Sequence, residues 1–133
     1  FDKSVSFDHF FEWFRSTEDL ENEIRLNRDH SYSDIGLSAV RKAILVFLDK
    51  FSKIRVRRGA TTSLILEKER HEYEVNQLSH GEKALIAMVG DLARRLVIAN
   101  PGSAEPLNGK GPYSRTCVRL FPTFNLFALL ILL

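Results

Sequence analysis

The sequence predicts an α/β chain, helix-rich with a small antiparallel sheet, from three observations. Apolar residues recur at helical spacing in three stretches, near residues 7–24, 37–48 and 85–99. Between the second and third of these the period shortens to two. Clear stop and start signals separate the stretches. A helix brings residues i, i+3, i+4 and i+7 to one side and a strand alternates them, so the two periods distinguish the two element types.

The first helix is expected from Ser6, as its cap, to about Asn27. Phe7, Phe10, Phe11 and Phe14 form its apolar stripe, with Leu20, Ile24 and Leu26 extending it. Glu21 and Arg25 are read as an i, i+4 pair on the wet side. After a polar loop at 28–33, Ser33 or Asp34 starts a second helix reaching about Lys50. Its apolar set is Leu37, Val40, Ile44, Phe47 and Leu48. Lys53, Arg55 and Arg57 then alternate with Ile54 and Val56, which is strand spacing. Arg58-Gly59-Ala60 supplies a turn, and Thr62–Glu67 a second strand with Leu64 and Leu66 on one face. A short third strand near Glu72–Val75 completes a small antiparallel hairpin or meander. The last helix spans Leu78 to Asn100, with Leu85, Met88, Val89, Leu92, Leu96 and Ala99 as its stripe and Asp91–Arg95 as a surface pair. Asn100-Pro101-Gly102 stops it.

Composition bounds the function classes. The chain of 133 residues is long enough for one domain with a modest core. It is 44% hydrophobic and 27% charged, as ordinary globular proteins are. A net charge of +2 argues for neither nucleic acid nor a membrane surface. With one cysteine, Cys117, no internal disulfide forms, which fits a reducing cytoplasm. Cys117 has no evident activating base, so a nucleophilic role is not expected. His9, His30, His71 and His80 are scattered without metal-ligand spacing. The apolar run at 124–133 is ten residues, half of what a membrane helix needs.

One segment carries chemistry: Leu78-Ser79-His80-Gly81-Glu82-Lys83. Its plain reading is a capping box, with Ser79 as N-cap and Glu82 three residues on. Its functional reading is a phosphate contact. A helix N-terminus offers free N–H groups and a partial positive charge. Gly81 lets a ligand approach the backbone, Ser79 can donate its hydroxyl, and Lys83 adds charge.

This combination resembles the signature motif of ABC-type ATPases, in the variant of the SMC, RecF and OLD-like proteins. The run LSHGEKALIAMVGDLARRLVIANPGSAEPLNGKG is similar to a bacterial group of AAA/ABC-type ATPases linked to virulence or phage defence. FFEWFRSTEDLENEIRL and the AVRKAI and FSKIRVRR stretches look like the same group, so the similarity covers about residues 6–111. The resemblance implies that this is a fragment of a P-loop ATPase domain with an α/β parent fold. It implies that Ser79, His80, Gly81, Glu82 and Lys83 contact the γ-phosphate of ATP held by a second ATPase subunit, across a dimer that hydrolysis releases. His80 departs from the Gly or Asp usual at that place, and Arg94-Arg95 matches the group's Arg-Arg.

The same resemblance sets what the chain lacks. No G-x-x-x-x-G-K-[ST] occurs, and Gly109-Lys110 has neither the earlier glycine nor the following Ser or Thr. Relatives continue past Gly111 with a strand ending in Asp-Glu, which serves Mg²⁺ and the attacking water, whereas residues 112–133 contain no Asp, Glu or His. Residues 1–111 are therefore read as the signature part, and 112–133 as a divergent apolar tail, out of frame or chimeric. The chain alone is not expected to hydrolyse ATP or to bind ATP and Mg²⁺ by itself. A different reading is a non-catalytic interaction module, binding nucleic acid or a protein through Lys53, Arg55, Arg57 and Arg58. A nuclease partner, known for some relatives, is left open. Trp13 with Phe10, Phe11 and Phe14 is read as core rather than as a base-stacking platform, and the acidic Glu18, Asp19, Glu21, Glu23 stretch as a solvated face.

Overall fold

The computed structural model describes residues 3–108. Three helices, α1 (Lys3–Asn27), α2 (Ile35–Phe47) and α3 (His80–Ala99), accompany three strands, β1 (Lys53–Arg57), β2 (Ser63–Lys68) and β3 (His71–Glu74). Short 3₁₀ turns at Val75–Gln77 and Pro106–Asn108 flank α3. The helix-rich α/β reading with a small antiparallel meander, in the order β1-β2-β3, matches this architecture.

Helix α3 packs against both α1 and α2. Phe10 and Phe14 of α1, Leu37, Val40 and Ile44 of α2, and Ile86, Val89 and Ala93 of α3 meet the inner face of the sheet, formed by Ile54, Val56, Leu64 and Leu66. Fully burying one such side chain stabilises by about 1.5–3 kcal/mol. Phe7, Phe11 and Trp13 lean on this core, as expected of an aromatic stripe at helical spacing. Two glycines set the helix approach. A Cβ on Gly90 would stand 2.7 Å from the Phe10 ring, and one on Gly36 would stand 2.6 Å from Val97.

The structure corrects several local expectations. Helix α1 begins at Lys3, so Ser6 lies inside it rather than capping it. Leu20 and Leu26 are 55% and 77% exposed. The buried positions after Phe14 are instead Glu18 and Glu21, at the next i+4 and i+7 places. They are neither solvated nor paired on a wet side. Glu18 accepts from Arg41 (2.7 Å), from Arg58 (3.1 Å) and from the Val56 amide (2.9 Å). Glu21 accepts from Arg41 (3.1 Å) and the Asp34 amide (2.7 Å), with Arg25 at 3.3 Å. Buried charge is tolerated because each carboxylate oxygen has a donor. This cluster ties α1 to the start of α2 and to β1.

Helix α2 takes Asp34 as its N-cap, whose side chain accepts from the Leu37 amide, and it ends at Phe47 rather than Lys50. In α3 the buried side is Ile86, Val89, Gly90 and Ala93, whereas Met88 of the expected stripe is 40% exposed. Apolar residues surround this helix almost completely, so periodicity alone does not choose the side that is covered. Asp91 is buried too, and pairs with Arg94 (2.7 Å) as well as Arg95 (2.9 Å).

Candidate functional site

The chain enters α3 through a pinned approach. The 3₁₀ turn Val75–Gln77 has its own capping box between Glu74 and Gln77, and Val75 and Leu78 are buried on either side of Asn76 and Gln77. Ser79 then sits at φ −64° and ψ 159°, the extended geometry of an N-cap. The Glu82 amide donates to its Oγ (3.2 Å) and the Lys83 amide to its carbonyl (3.0 Å). Glu82 returns the bond, accepting from the Ser79 amide (3.2 Å) and hydroxyl (2.7 Å). The capping box read from the sequence is therefore fully formed.

This turn faces outward. Ser79, His80 and Gly81 are exposed, and Glu82 and Lys83 are half-buried. A Cβ on Gly81 would meet nothing within 4 Å. Among the described residues, no acceptor takes the amide hydrogens of His80 and Gly81. Two N–H groups are thus left open at the positive end of a 20-residue helix. The Ser79 hydroxyl, by contrast, points its hydrogen at Glu82 and is committed inside the cap.

The electrostatics involve residues that the sequence did not single out. The hydrogen bond from Ser79, and more weakly the fields of Lys68 and Lys50, hold Glu82 below the usual carboxylate range. Lys68 closes β2 and Lys50 lies in the loop before β1, far from Ser79 along the chain. Their proximity is a product of the fold, and spacing in the sequence carried no sign of it.

The remaining candidates come out differently. On the outer face of the sheet, Arg55 and Arg57 both bond Glu72, Arg57 also approaches Glu74 (3.7 Å), and Lys53 approaches Glu67 (3.7 Å). Arg58 is held by Glu18 and Asp19. The strand that reads as basic is thus matched by carboxylates from its neighbours. The bond from Arg55 is the main reason Glu72 sits below its ordinary range. Among the described residues, no group of three His, Cys, Asp or Glu could hold a metal ion, and no helix is long and apolar enough to cross a membrane. Gly109-Lys110, Gly111, Cys117 and the apolar run at 124–133 lie outside the described residues.

The chain is 38% identical over 99 residues to the Retron Ec83 probable ATPase of Escherichia coli, covering 71% of this chain and 18% of that protein. It is 26% identical over an alignment of 149 residues to the Retron Vc95 probable ATPase of Vibrio cholerae serotype O1 biovar El Tor, covering 84% of this chain and 29% of that protein. The chain thus spans less than a third of the length of either relative. No family model matches it, and no solved structure matches it.

Proposed function

We propose, from the premise that this chain is a bacterial ATPase-like protein, that the first turn of α3 is the part of an ATP site that closes from outside. In this reading the amides of His80 and Gly81, with Lys83 beside them, meet the γ-phosphate of an ATP molecule held by a second subunit. The carrying observation is the outward turn at Ser79–Gly81, whose glycine leaves a ligand clear access and whose His80 and Gly81 amides lack acceptors among the described residues. Lys68 and Lys50 add to the positive potential there. Such a turn stabilises an anion without holding a nucleotide by itself, so nucleotide and Mg²⁺ belong to a subunit with a P-loop, which this chain does not contain. ATP then joins two subunits, and its hydrolysis parts them.

The residues fit this task in one respect and modify it in another. The two open N–H groups are preorganised by the capping box and the pinned approach, so little ordering is needed when a phosphate arrives. The Ser79 hydroxyl joins the contact only when Glu82 releases it. The fields of Lys68 and Lys50 already reach that carboxylate.

The test is association. The full chain, mixed with a P-loop-bearing relative, is expected to form a complex on addition of ATP and Mg²⁺, read by light scattering after size exclusion. Ser79→Arg is expected to abolish it, because bulk and a misplaced charge then fill the phosphate position. Complex formation that is unchanged in Ser79→Arg would leave the turn with a packing role alone.

A further inference from the structure

We draw no further inference here: the strongest candidate, the outward side of α3 that carries the exposed Met88 and Ile98, is an apolar patch on a helix face, and nothing in the structure shows what covers it.

Discussion

Glu69 and Arg70 connect β2 to β3 with φ of 52° and 66°, both in the left-handed region. Two consecutive positive values in a two-residue hairpin mark a type I′ turn, for which Asn-Gly is the favoured pair. Side chains other than glycine or asparagine cost roughly 1–2 kcal/mol each in that conformation. Replacing Glu69-Arg70 by Asn-Gly is expected to raise stability toward urea by about 1 kcal/mol, net of the extra freedom glycine has when unfolded. A loss of stability would mean that the native side chains contribute more than their strain removes. Glu82 gives a second test at this scale. Its folded pKa is depressed, chiefly by the Ser79 hydrogen bond, so its contribution is present above the unfolded value and disappears as pH falls through the folded one. Protection of the Ser79 amide, measured against its intrinsic exchange rate at each pH, is expected to fall below the ordinary carboxylate range. Glu82→Gln keeps the cap geometry and is expected to remove this pH dependence; an unaltered profile in the variant would assign it to another group.

At the scale of elements, the pairing of β1 with β2, the caps of α2 and α3 and the position of the turn that opens α3 were legible in the sequence. Each depends on residues within a few places of one another, where local geometry decides. The facing of α1 and α3 was not. After Phe14 the buried side of α1 passes to Glu18 and Glu21, and most of the donors that explain it, Arg41, Arg58 and the Asp34 and Val56 amides, lie 13 to 40 residues away. Arg41 also lies over the Phe14 ring, 5.6 Å from its centre. Arg41→Ala leaves two buried carboxylates short of a partner and is expected to cost about 3–5 kcal/mol in urea denaturation; a cost below about 1 kcal/mol would show that Arg58 and Arg25 suffice. In α3, Gly90 lies flat against Phe10. Gly90→Ala is expected to destabilise by about 1–3 kcal/mol through overpacking, despite alanine's better helix propensity. The lysines around Ser79 were hidden for the same reason as Arg41, since they come from separate elements.

Across the whole molecule, the buried cluster makes distant parts open together. The Val56 amide is bonded to Glu18 rather than to β2, so its protection depends on α1 staying in place. Hydrogen exchange at Val56 is expected to be as slow as at the centre of β2, such as Leu66, and to become much faster in Glu18→Ala while Leu66 changes less. Equal acceleration at both would show global loss of stability instead of a local release. The same arrangement bears on how the sheet meets other chains. The Val56 carbonyl accepts from Arg58 (3.0 Å) as its amide donates to Glu18, so both main-chain groups of Val56 are already occupied by side chains. An unguarded margin is a template for unwanted pairing. That part of the β1 margin is therefore closed to a recruited strand by a glutamate and an arginine that belong to neither of the sheet's hairpin pairings.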